Sequence, residues 1–179
     1  MWTILMAPTD AGHPALTPEG PLLEGAFAGP QAFAQLVRDA LATAAHEGWV
    51  EMVWSDATFE DWPLREKAVV ESLQAWARSG RRLVLLARSY DSLRLLHPRF
   101  VSWRVMWDHI IECRACKSVD ASEFPSAMLS RTWSMRRLDL ARCTGRAGYE
   151  PRRRLQLQEA LDECRRQSAP GFSASVLGL

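Results

Sequence analysis

Lysine is nearly missing from this chain, long apolar runs are absent, and cysteine is sparse. Only two of its 22 basic residues are lysine and twenty are arginine. An arginine-rich stretch therefore reflects the habit of the whole sequence before it reflects a local device. No apolar run approaches the roughly 18 residues needed to cross a bilayer, so no membrane span is expected. The opening "MWTILMAPTD" has no basic segment and too short an apolar one for a secretory signal, which makes a cytoplasmic location the expectation. In that location four cysteines, at 113, 116, 143 and 164, are expected as reduced thiols and not as a disulfide framework.

What is present is globular. The chain has 179 residues, 47% of them hydrophobic and 24% charged, enough for one packed core. Residues 7–30 hold five prolines and four glycines, which prevents a long helix or a central strand. Residues 1–28 are accordingly read as an irregular arm, with a short edge strand possible in the first six, and 29–179 as a single α/β domain.

From Pro30 the periodicity becomes regular. Phe33, Leu36, Val37, Ala40, Leu41 and Ala44 fall at helical spacing behind Pro30, and Gly48 is placed to cap the helix. "WVEMVW" (49–54) has strand length. "DWPL" is expected to open a second helix that runs to Gly80 through Val69, Leu73, Trp76 and Ala77. "RLVLLA" (82–87) is apolar throughout, as a strand covered on both faces should be. A helical region broken at Pro98 follows, and then "HIIECR" as a third strand. "SAMLSRTW" (126–133) and "RRLDLAR" (136–142) form an expected antiparallel pair. The last helix starts behind Pro151, with Leu157, Ala160, Leu161 and Cys164 on one face. Alternating helices and strands imply a mixed, mainly parallel sheet with helices on both faces.

Charge is divided unevenly. Residues 131–166 carry ten arginines against five acids, while the first 130 residues are net acidic. The basic part, including "RRR" at 152–154, could contact phosphates. Tyr149 is the lone aromatic in 136–154, so stacking on single strands is unsupported and nucleic acid is not the expected partner. Six tryptophans (54, 62, 76, 103, 107 and 133) fall mostly on core faces, where they fill layers. A Trp-lined groove at the strand ends is the alternative.

If a ligand site exists, the carboxyl ends of the parallel strands are where open α/β sheets place it. Asp56 and Asp61 follow the first of these strands, and Arg88 and Asp91 follow "RLVLLA". These four are the candidate ligand-binding residues. The plain alternative for both aspartates that precede helices, Asp61 and Asp91, is helix capping.

The segments "GPQAFAQLVRDALATAAHEGWVEMVWSDATFEDWPL" and "GRRLVLLARSYDSLRLLHPRFVSWRVMWDHIIECR" resemble uncharacterised bacterial proteins that look like a single phospholipase D-type half. The resemblance spans about residues 29 to 142 and rests on element order and on "WPL", "LHPR" and "HIIECR". It implies a phospholipase D-like fold. Catalytic members carry His-x-Lys with a following Asp, and on a strand that spacing puts His and Lys on one face for attack at phosphorus. None of His13, His46, His97 and His109 has a lysine two residues on, and "SAMLSRTW" has no histidine. The fold is implied and no catalytic residue is.

"HIIECRACKSVD" (109–120) has zinc-type ligands in His109, Cys113 and Cys116. On a strand, however, His109 and Cys113 lie about 13 Å apart, and Cys113 and Cys116 point to opposite faces. Buried thiols in a packed sheet are the expectation, a metal site or a redox pair the alternatives, and no cofactor is expected. Phospholipase D-like halves generally pair, and a chain with net charge +1 has little long-range repulsion, so a homodimer is expected with Arg131 and Trp133 as interface anchors. Together these features describe a noncatalytic interaction or regulatory protein on a degenerate phospholipase D-like fold. A small-ligand binder or enzyme at the strand ends, and a nucleic-acid module using the arginine-rich part, are the alternatives.

Overall fold

The computed structural model describes residue 18 and residues 20–173, so the edge strand considered for the first six residues lies outside the described residues. Helix α1 (Pro30–Glu47) starts at proline and stops at Gly48, whose φ of 69° is the left-handed conformation that glycine takes without a Cβ clash. It leads to β2 (Glu51–Ser55), α2 (Lys67–Trp76), β3 (Arg82–Ala87), α3 (Asp91–Leu96), α4 (Pro98–Met106) and β4 (Ile111–Ala115). The chain then runs through β5 (Ser126–Leu129), β6 (Ser134–Asp139) and β7 (Thr144–Gly148), and ends in α5 (Pro151–Arg166) and β8 (Ala169–Pro170). Strand β1 (Gly25–Ala28) comes first in the chain and pairs with β7.

The architecture is α/β with one eight-stranded mixed sheet, in the order β1-β7-β6-β5-β2-β3-β4-β8. The expectation of a mainly parallel sheet is corrected. Among the described residues only β2–β3 and β3–β4 are parallel, and the other pairings are antiparallel. The reason lies in the connections. Helices return the chain between β2, β3 and β4, whereas the links from β5 to β6 and from β6 to β7 are only a few residues long. Links that short allow only antiparallel hairpins.

Further boundaries shift, among them β5, which ends at Leu129 and not at 133, and β6, which runs Ser134–Asp139 and not 136–142. Helix α2 begins at Lys67, not at "DWPL", and ends at Trp76, before Gly80. Residues 57–66 fold instead into turns that bury Phe59, Trp62 and Leu64. Strand β4 begins at Ile111, because Asp108–Ile110 form a 3-10 turn that carries His109. The division drawn at residue 28 falls beside β1, so 25–28 belong to the sheet.

Helices cover both faces, unequally. One face holds the larger core, where Phe33, Val37 and Leu41 of α1, Leu73 and Trp76 of α2, and Phe100 and Trp103 of α4 pack on Met52, Trp54, Leu83, Leu85 and Met128. Trp62 touches Trp54, Phe59 and Phe33, with ring centroids 5.0–5.7 Å apart. Such aromatic pairs contribute about 0.5–1.5 kcal/mol each beyond the area they bury. On the other face, Leu157, Leu161 and Cys164 of α5 pack on Val84, Leu86, Ala127 and Leu129. Beside β1, β7 and β6 this face carries a pocket that α5 borders through Arg153, Gln156 and Leu157. Arg136, Leu138 and Arg146 are exposed there.

Candidate functional site

Polar side chains converge below the carboxyl end of β2. Asp56 follows the strand, and its backbone N–H donates to Leu86 O (3.1 Å), which fixes its direction. Its Oδ1 accepts the backbone N–H groups of Thr58 (3.1 Å) and Phe59 (2.8 Å), a side-chain turn that holds Phe59 at a φ of 56°. Its Oδ2 accepts from Ser126 Oγ and from Arg137 Nη2, each at 2.7 Å.

Arg137 enters from β6, where Met135 and Arg137 share the inward face. Its Nε donates to Ser126 Oγ (2.7 Å), Nη1 to Asp61 Oδ2 and Cys143 Sγ (3.4 Å), and Nη2 to Asp56 Oδ2 and Asp61 Oδ1 (3.0 Å). A guanidinium has five N–H groups, and here all five are engaged. Its carbon also sits 4.1 Å from the Phe33 ring centroid. Burial alone would lower the guanidinium's pKa, but the bond to Asp61 and the charge of Asp56 outweigh it and hold the value above the ordinary one. Asp56 and Arg137 are buried, and Asp61 is half exposed at the rim. Asp61 is therefore no helix cap. This cluster is a plug: its donors and acceptors are spent on one another.

His97 lies near this plug and is fully buried. Its Nε2 is 2.8 Å from Phe59 O and donates to it, while Nδ1 is buried without a hydrogen-bond partner. Burial pushes the imidazole pKa below its usual value, more than the bond to Phe59 raises it.

The other two candidates, Arg88 and Asp91, sit apart from Asp56 and Asp61. They line a cleft of about 530 Å³ between the carboxyl ends of β3 and β4 and the β8 segment. Arg94, Lys117, Ser118 and Phe172 share it. Its wall is firmly built. Tyr90 donates its hydroxyl to Leu85 O (3.0 Å) and Arg114 O (2.8 Å), and its ring stacks on Phe172 at 5.1 Å. Arg104 Nη2 donates to Phe172 O at 2.5 Å.

No protein-family model and no curated protein matches the chain. Solved structures do. The chain is similar to TrmBL2, an archaeal chromatin protein with a novel mode of DNA binding, at a TM-score of 0.59 and 17% identity. The match covers 88% of this chain and 58% of TrmBL2, so the chain corresponds to little more than half of that protein. At this identity the likeness is one of fold.

The remaining candidates are dispersed. Cys113 and Cys116 are buried in different cores, on opposite faces of the sheet. Cys113 Sγ accepts from Arg104 Nε (3.3 Å), and His109 is exposed, its ring beside Trp107. Among the described residues no group of three metal-binding side chains forms. Trp133 is corrected as an interface anchor: it is fully buried, and its indole donates to Leu23 O (3.0 Å). Arg131 is exposed. Sequence reasoning missed Arg137, although an arginine two residues from Met135 on a strand shares its inward face and needs an acid there.

Proposed function

We propose that this chain is a noncatalytic interaction or regulatory protein built on a phospholipase D-like fold. The saturated Arg137 carries the proposal. Beneath the strand ends, where a hydrolase needs an unengaged nucleophile and a proton donor, the polar groups bond to one another. His97, the buried histidine beside the plug, spends its proton on Phe59 O. The sequence also has no His-x-Lys pair.

The partner that fits best is a second copy of the chain, docked through the pocket beside β1, β7 and β6 on the second sheet face. Leu138 is 67% exposed there and Tyr149 39%. Arg136, Arg146 and Glu24 line the same pocket without an ion pair to any described residue. A two-fold contact would bring both signs of charge from each copy against the other, and it would cover the leucine and tyrosine.

Two measurements test this. Purified protein should turn over neither a generic phosphodiester nor a phospholipid; turnover abolished by one active-site substitution overturns the noncatalytic reading. Light scattering should give a dimer mass that Leu138→Asp reduces to the monomer. A constant monomer mass at tens of micromolar protein rules out the dimer.

A second reading is DNA binding by the arginine-rich C-terminal part. It is favoured by Arg131, Arg136, Arg146 and Arg152, which make no ion pair with a described residue, and by the fold shared with a DNA-binding chromatin protein. Duplex affinity that falls steeply with salt and weakens in Arg136→Gln/Arg146→Gln would support it. No binding at low salt sets it aside.

A further inference from the structure

We propose that the cleft between β3, β4 and β8 binds a small phosphate monoester. The inference goes beyond the noncatalytic reading and concerns a different part of the molecule from the Arg137 plug. Among the described residues nine of the twenty arginines face a carboxylate: Arg38 meets Glu66, Arg82 and Arg165 meet Glu112, Arg137 meets Asp56 and Asp61, and Arg166 meets Glu163, with Arg104, Arg114, Arg142 and Arg153 paired likewise. The cleft gathers cations of the other kind. Arg88, Arg94 and Lys117 line it together, and none forms an ion pair with a described residue. Lys117 is one of the two lysines in the chain.

Two of these cations are positioned by contacts that use no carboxylate. Among the described residues Arg88 donates from Nε alone, to Val119 O (3.1 Å), and both terminal nitrogens lack a partner. Arg94 is held with its carbon 4.9 Å from the Phe172 ring centroid, over a ring already stacked on Tyr90. Ser89 Oγ accepts the Asp91 N–H (3.2 Å) and keeps its own proton to donate. All three are exposed, so an anion entering from solvent can meet them without displacing a carboxylate. Asp91 is the acid among the lining residues, so the cleft carries a net charge near +2. That matches a phosphate monoester, whose charge is about −1.5 to −2 at neutral pH, better than a monocarboxylate. A guanidinium pair and one ammonium supply the fork and the point charge that phosphoryl oxygens take. Ala115, Pro170 and Phe172 give the organic part an apolar wall, and Asp91 can accept a ligand hydroxyl. The volume of about 530 Å³ lies within the range of small-molecule sites.

The test is calorimetric titration of the full chain with inorganic phosphate and with glycerol 1-phosphate, at constant ionic strength and with glycerol as the uncharged comparison. Saturable binding of glycerol 1-phosphate, tighter than phosphate and absent for glycerol, is expected. The double variant Arg88→Gln/Lys117→Gln should weaken it at least about tenfold with an unchanged ligand-free thermal midpoint. Arg78→Gln, exposed beyond α2, should bind as the parent does. Absence of saturable binding up to about 10 mM overturns the proposal, as does equal affinity in the double variant. Free phosphate is followed in the same samples. Binding with release of phosphate supports the site and overturns the noncatalytic reading, so the two can fail separately.

Discussion

Asp56 and Asp61 bind the same guanidinium, yet their removal should have unequal consequences. Asp56 is buried with four donors around it, whereas Asp61 stands half exposed at the rim. Arg137→Leu leaves Asp56 buried without its counter-charge, and breaking a buried pair from one side costs about 3–5 kcal/mol. Asp61→Ala removes a solvent-screened partner while Asp56 remains, and should cost about 0–1 kcal/mol. Urea unfolding of the two variants checks this; equal losses would mean that the plug is held mainly from its rim. The aspartates were conspicuous in the sequence, because each follows a strand or precedes a turn. Arg137 was not, since it lies 76 residues from Asp61 and 81 from Asp56. Local pattern carries no information about pairing over such separations.

Elements specified by their own residues were legible. Helix α1 has proline at its first turn, an unbroken apolar stripe and a capping glycine, and β3 has six residues with no polar interruption after the first. Strand β7 was invisible, because "TGRAG" has two glycines and no apolar alternation. It is a strand because β6 and β1 hydrogen-bond it from both sides. One of those glycines explains the sequence. A Cβ on Gly145 would stand 2.6 Å from the Phe27 ring and would collide with the backbone carbonyl of Arg136. Since backbone in a paired ladder cannot step aside cheaply, Gly145→Ala should destabilise the fold by about 1–3 kcal/mol. A thermal midpoint equal to that of the parent would show that β1 and β6 can separate to admit a methyl group. The same dependence on neighbours hid the direction of the sheet. Parallel and antiparallel strands share one alphabet, and only the lengths of the connections after β4 distinguish them.

For the whole molecule, His97 sets an acid limit. Its folded pKa is below the ordinary value of 6.5, because burial disfavours the cation more than the Phe59 and Glu60 carbonyls and the Asp61 charge favour it. The unfolded chain therefore binds more protons than the folded one as pH falls through that value. Stability is fully present above about pH 6.5 and declines below it, down to the lowered folded pKa. Urea midpoints between about pH 7.5 and 5.5 should fall, and His97→Gln, which can still donate to Phe59 O, should flatten the fall. An identical slope in the variant would place the acid sensitivity elsewhere. The sheet has a further consequence, for how copies of the molecule can add to one another. Its outer strands are β1, four residues long, and β8, two residues long and ending in a proline that has no N–H to offer. A lengthening stack of strands needs a long run of free donors and acceptors to template the next chain. Among the described residues neither margin supplies one, which disfavours growth by strand addition at either side.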